Sequence, residues 1–307
     1  MERDLPNLTI HQLLYVREVF RTPTWTEAAS ALGVTQSALS QGIAEVERRL
    51  GTPLFERRGR VRLPTAAGEA LRFVADDVVA LVDDLARRLV ELDTGTSGTL
   101  RIGMIDTAAL GFLAAPLAEF RRTFSKVRTS LVVEPSVALT ERVAAGELDA
   151  AVVVIPNAAL ARGITDDRFN VQTLEDEAIF VYAPPDTLVG TAATWGPWVT
   201  YPAGSQTQRL ISRALGALGV TVDIVAASSN PDVLRQMVRL GVGWCALPAS
   251  VAESGPEPLT RAQIQPIVHR TIALVRRRTA LSNGALDAFV GLLGLSGPGM
   301  GTASPTP

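Results

Sequence analysis

Two groups of side chains in this sequence have the chemistry for recognition. The first is Thr35, Gln36, Ser37, Ser40 and Gln41. Their amides and hydroxyls donate and accept hydrogen bonds, which is what reading base edges in a DNA major groove requires. Close behind, in residues 48–62, Arg48, Arg49, Arg57, Arg58, Arg60 and Arg62 face one acid, Glu56. That cluster supplies the phosphate attraction that the whole chain, with a net charge of −2, does not. The same residues would also serve as a solvated helix face and a soluble hairpin, so their surroundings decide between the readings.

The second group is spread along the chain: Ile105-Asp106-Thr107, Ser136-Val137, Gly204-Ser205-Gln206-Thr207 and Ser229-Asn230. Each places a hydroxyl or amide at an expected helix start, where free amides and the helix dipole attract anions. Taken singly, each is at least as well explained as a helix cap. Asp106 stands apart, because a carboxylate at such a place repels an anion and pairs with an ammonium.

The elements that hold the first group are legible. Leu13, Leu14, Val16, Val19 and Phe20 form a helical apolar face stopped by Pro23. Thr24 and Glu27 have the spacing of a capping box for a short second helix, which ends at Gly33. Thr35 caps a third helix whose Leu39, Ile43, Val46 and Leu50 make an apolar back, ending at Gly51, so that its polar front faces outward. Residues 55–63 then read as two short strands around Gly59, an arginine-rich wing whose alternation sends its arginines to both faces. From Ala66 to Leu92 one long helix is expected, with Leu71, Val74, Val78, Leu81 and Leu85 three and four apart, a seam suited to a second copy. Arg88 interrupts that seam, and Thr94–Gly98 reads as a hinge.

Beyond the hinge, strand and helix patterns alternate in two sets, implying two Rossmann-like α/β lobes with parallel strands and covering helices. The expected organisation is a DNA-binding domain at 1–65, a linker and dimerisation helix at 66–94, and a ligand-binding domain at 95–296. Within the last, lobe I takes about 99–166 and 270–296, lobe II takes about 167–269, and 297–307 is a disordered tail rich in glycine and proline.

Enzyme chemistry finds little support. Cys245 is the only cysteine, which excludes an internal disulfide or redox pair, and it lies in an apolar run that reads as a buried strand rather than a redox site. His11 and His269 lack the companions of a metal site or a catalytic triad. No catalytic residue, metal ligand or cofactor is expected. The opening Met1–Pro6 lacks the features of a secretory signal and no stretch is long and apolar enough to span a membrane, so the expected location is the cytoplasm.

Thr26-Glu27-Ala28-Ala29, Leu32, Val34 through Ser40, Ile43, Glu47, Leu50-Gly51, Leu54-Phe55, Arg57, Arg60 and Thr65-Ala66-Ala67-Gly68 closely resemble the signature of LysR-type transcriptional regulators. Ala145 to Asp149, Val238 to Gly243 and Leu247-Pro248 resemble that family's effector domain more loosely, and Pro64 departs from the leucine frequent there. The resemblance implies an amino-terminal winged helix-turn-helix, a long linker helix and a periplasmic-binding-protein-like effector domain. It implies DNA contacts from Thr35, Gln36, Ser37, Ser40, Gln41, Arg57, Arg58 and Arg60. It also implies that Ile105, Asp106, Thr107, Ser136, Gly204, Ser205 and Asn230 converge on one cleft between the lobes. The implied partners are double-stranded promoter DNA, a small-molecule effector, RNA polymerase and further copies of the chain in a pair of dimers. The expected effector is an amino acid or a small organic acid; Asp106 complicates a plain carboxylate, and an amino acid, carrying both charges, reconciles it with the anion-attracting helix starts. The competing reading is a small-molecule binding protein or enzyme on the two-lobed domain, with the first segment used only for assembly.

Overall fold

The computed structural model describes residues 7–58, 61–94, 98–155, 168–254 and 256–294, without the side chains of Arg58, Val61 and residues 91–94. The expected wing tip with Arg60, the middle of the hinge and the tail lie outside these residues, as do residues 156–166 of lobe I. The chain forms two compact units, an amino-terminal one running to Asp93 and a larger one that holds most of the remainder.

The amino-terminal unit contains α1 (Ile10–Arg21), α2 (Trp25–Ala31) and α3 (Gln36–Leu50), the antiparallel hairpin β1 (Phe55–Arg58) and β2 (Val61–Pro64), and the long α4 (Ala66–Thr94). Helix ends follow their side chains. Thr9 and Gln12 form a reciprocal capping box on α1. The Thr24 and Thr35 hydroxyls accept from the amides of Glu27 and Ala38. Gly51 ends α3 at φ 66°, a left-handed conformation that glycine adopts without a Cβ penalty. The core joins Leu13 and Val16 of α1, Ile43 and Val46 of α3, Leu54, and Ala75 and Val79 of α4. Ala75 and Val79 face inward while Val74 and Leu85 are half exposed, so α4 carries two apolar faces, one of which is uncovered among the described residues of its own unit.

The larger unit is organised on a six-stranded sheet in the order β4-β3-β5-β10-β6-β9. Its strands are β3 (Thr99–Met104), β4 (Arg128–Val133), β5 (Ala150–Ile155), β6 (Phe169–Tyr182), β9 (Cys245–Pro248) and β10 (Val268–Arg277). β3, β4 and β5 are parallel, as the alternation predicts, but β10 runs antiparallel to both β5 and β6, so the sheet is mixed. Hydropathy periodicity carries no strand direction, which is why this was not foreseen. α5 (Asp106–Leu110), α6 (Ala114–Thr123), α7 (Ser136–Ala144) and α11 (Gly284–Leu292) accompany the β3–β5 end, where Phe120 meets Phe289 edge to face. The other end adds the parallel pair β7 (Trp198–Thr200) and β8 (Ile224–Ala227), with α8 (Gln206–Ala217), α9 (Pro231–Arg239) and α10 (Ala249–Ala252). Its core includes Trp198, Tyr182, Ile211, Leu234 and stacked Trp195 and Trp244. β6 and β10 belong to both ends, and the expected lobe boundary at residue 269 falls inside β10.

Candidate nucleic-acid interface and ligand cleft

In the amino-terminal unit, α3 is apolar behind and polar in front. Leu39, Ile43 and Val46 are buried, whereas Thr35, Gln36, Ser37 and Gln41 are exposed and Ser40 is partly so. Gly42 makes the seating possible, because a Cβ there would stand 2.4 Å from the Tyr15 ring of α1. The sequence reading passed over this glycine, although a glycine inside a helix is a signal of close approach.

The hairpin is fastened to α3 by Glu47, whose carboxylate accepts from the amides of Leu54 (2.7 Å) and Phe55 (3.2 Å). The Thr65 hydroxyl donates to the Pro53 carbonyl at 2.8 Å and caps the start of α4 by accepting from the Gly68 amide. Gly68 is equally constrained, since a Cβ would meet the Leu54 carbonyl oxygen at 2.2 Å. These contacts give physical roles to residues that the motif contains without explaining.

The arginines separate into two kinds. Arg48 and Arg49 both bond Glu45 on their own helix, and these bonds hold the Glu45 carboxyl down at about 2. Arg62 lies over the Trp25 ring at 4.1 Å, beside Phe55, which packs edge to face on the same indole. Arg57 is exposed directly across the hairpin from Arg62. Arg48, Arg49 and Arg62 are thus held in place by neighbouring side chains.

In the larger unit a cavity of about 390 Å³ brings together six of the seven expected ligand residues: Ile105, Asp106, Thr107, Ser136, Gly204 and Ser205. Asn230 lies outside the lining. Its side-chain carbonyl accepts from the amides of Asp232 and Val233 and so caps α9, while its neighbours Ser229 and Pro231 face the cavity. Ser136 and Ser205 also have local work, accepting from the amides of Val154 and Gln208 at 3.0 Å each. Burial raises the Asp106 carboxyl above its ordinary range, against a bond from its own amide and reinforced by Asp232.

The cavity also contains residues that sequence reasoning missed, above all Arg270 at the start of β10, 2% exposed. It stands opposite Glu177 of β6 in the strand register, and its Nε and Nη2 bond the Glu177 carboxylate at 2.7 and 2.6 Å. Nη1 donates to the Thr207 hydroxyl at 3.1 Å and Nη2 to the Thr107 hydroxyl at 2.9 Å. The other Glu177 oxygen accepts from Ser250 at 2.5 Å. An arginine opening an apolar strand was the available signal, because a buried charge must be paired. Nearby, the Tyr201 hydroxyl is buried beside Arg270, and burial pushes it up. Cys245 is fully buried in β9, which pushes its thiol up.

Comparison with known proteins gives a consistent result over the length of the chain. Residues 10–69 match the family description "Bacterial regulatory helix-turn-helix protein, lysR family", and residues 93–295 match "LysR substrate binding domain". The chain is 28% identical to the HTH-type transcriptional regulator CysB of Burkholderia cenocepacia, over 91% of this chain and 89% of that one. It is 30% identical to the HTH-type transcriptional regulator Cbl of Escherichia coli, over 77% of this chain and 76% of that one. Its fold is similar to that of full-length CbnR, a LysR family transcriptional regulator solved with its target DNA (TM-score 0.56, 19% identity, 94% of this chain and 99% of that one).

Proposed function

The chain belongs to the LysR family of transcriptional regulators, DNA-binding proteins with an effector-binding domain that are not enzymes, and from that premise we propose how the work is divided among its residues. Residues 1–65 read DNA, 66–94 join the chain to a second copy, and 95–296 bind the effector. Thr35, Gln36, Ser37, Ser40 and Gln41 enter the major groove, and Arg57, Arg58 and Arg60 meet the backbone beside it. The observation that carries this reading is the two-faced α3, whose back is buried and whose leading turn is exposed and polar.

The uncovered apolar face of α4 supports a dimer. Two such dimers in a tetramer, a cytoplasmic location and contact with RNA polymerase complete the proposal. For the effector, Ile105, Asp106, Thr107, Ser136, Gly204 and Ser205 form the cleft wall, with Asn230 holding the start of α9 in place. An amino acid fits better than a plain organic acid. Its ammonium meets Asp106, which no cation pairs among the described residues, and its carboxylate meets the anion-attracting start of α8.

A gel-shift titration on the DNA upstream of the chain's own gene tests the division of roles. Ser37→Ala and Gln41→Ala are expected to lower the preference for that DNA over random DNA by about 1–3 kcal/mol for each lost base contact. Arg57→Ala is expected to weaken both alike. Equal effects on both DNAs from all three variants would contradict the assignment. Thermal-shift screening of amino acids against organic acids tests the effector class, and failure of both classes would remove it.

A further inference from the structure

Arg270 does more than line the cleft. Arginine has donors and no acceptor, so Thr107 Oγ1 and Thr207 Oγ1 accept from it. A hydroxyl that accepts keeps its own hydrogen, and that hydrogen cannot return to the guanidinium. Neither threonine hydroxyl donates to another group among the described residues, and both residues line the cavity. Thr107 belongs to the first turn of α5, at the β3–β5 end of the domain, and Thr207 to the first turn of α8, at the other end. The guanidinium itself is held in place by Glu177, which is fixed in turn by Ser250. Its charge is matched inside the protein, so what it offers the cavity is two oriented hydroxyl donors, one from each lobe.

We propose that Arg270 is a positioning residue that fixes both threonine hydroxyls as donors toward the cavity, so that the cleft selects an effector presenting two acceptor oxygens, one to each lobe, over one presenting an N–H there. This rests on the reading of the cavity as the effector site and deepens it. A carboxylate satisfies both donors. A primary amide turns its NH2 against one of them and leaves that hydroxyl without an acceptor, a mismatch costly in a buried site. Bridging oxygens also tie the starts of α5 and α8 together.

The test is calorimetric titration of the full chain with the common L-amino acids and short dicarboxylates, each binder then paired with its primary amide. The wild-type protein is expected to prefer the acid over its amide by about tenfold or more. Thr107→Val and Thr207→Val each lower affinity for the acid by about tenfold, whereas Thr107→Ser and Thr207→Ser retain it. The double variant Glu177→Gln/Arg270→Gln removes both buried charges together, leaving neither unpaired. Its threonine hydroxyls are free to turn and accept, so the acid-to-amide ratio falls below about threefold, a change that loss of stability alone does not produce. Should the double variant fail to fold, Arg270→Lys gives the same reading, since one ammonium cannot serve both hydroxyls and the carboxylate in the guanidinium's planar geometry. An acid-to-amide ratio unchanged by these variants, or acid binding unaffected by both valine substitutions, overturns the proposal while leaving the effector site intact. Absence of any binder for the wild-type protein overturns the reading of the cavity and this proposal with it.

Discussion

The polar face of α3 with its hairpin and the cleft of the larger unit, proposed to meet DNA and an effector, stand in opposite electrostatic settings. Around α3 the arginines are exposed, held by Glu45 or stacked on Trp25, and their charge reaches into solvent. In the cleft one guanidinium is buried and matched by Glu177, and it acts through hydroxyls that it orients. A polyanion is recognised by releasing its counterions, a long-range and salt-sensitive effect. A small ligand in a partly dry pocket is recognised by direction, which salt barely screens.

The largest expected contrast is therefore with ionic strength. Raising salt from about 50 to 200 mM should weaken specific DNA binding by roughly 10³–10⁵ if six to ten phosphates are neutralised. Effector affinity measured by calorimetry over the same range should change by less than about threefold. Similar slopes at the two sites would erase the distinction.

Next in size is the stability cost of removing one charge from each region. Arg270→Met leaves the Glu177 carboxylate buried without its partner and should destabilise the larger unit by about 3–5 kcal/mol in denaturant unfolding. Arg57→Ala, at an exposed hairpin position, should change stability by less than about 0.5 kcal/mol. A mild effect of Arg270→Met would mean that the pair is better solvated than its geometry indicates.

The smallest effect sharpens the comparison within the cleft. Burial raises the Asp106 carboxyl, so its charged form is disfavoured in the folded state. An acid raised in this way costs stability once pH exceeds its folded value, and that cost disappears below its ordinary value near 3.8. Wild-type protein should therefore gain stability relative to Asp106→Asn as pH is lowered from neutral toward 4 in thermal melts. A difference constant with pH would show that Asp106 is fully solvated.

The two regions also differ in how far their chemistry can be read along the chain. Everything that shapes α3 lies within a few turns of it: the Thr35 cap, the Leu39-Ile43-Val46 back and the Gly51 stop appear in the structure as periodicity placed them. What was missed there, Gly42 against Tyr15 and Glu47 on the wing, depends on approach between elements, which periodicity does not contain. In the cleft, helix starts were recognisable one at a time, and six of the seven chosen residues do face one cavity. The seventh, Asn230, illustrates the ambiguity of such signals, because the same side chain that suits a ligand also suits a cap. Arg270 joins Glu177, Thr207 and Thr107 across 93, 63 and 163 residues of sequence: the antiparallel register of β6 and β10 sets it beside Glu177, and the first turns of α8 and α5 bring the two threonines to it. The charged run Glu175-Asp176-Glu177 also concealed most of β6, since a strand with acids along its middle does not look like one.

The Glu47 carboxylate that grips the Leu54 and Phe55 amides has a consequence for the operator itself. It bolts the base of the hairpin to α3 like an outrigger, so the groove and backbone contacts proposed for the two would be held at one spacing, as on a ruler. On that proposal, sequences that suit this chain would match it in pitch as well as in letters, and a base-pair insertion between the two contact points would not be absorbed by stretching the protein.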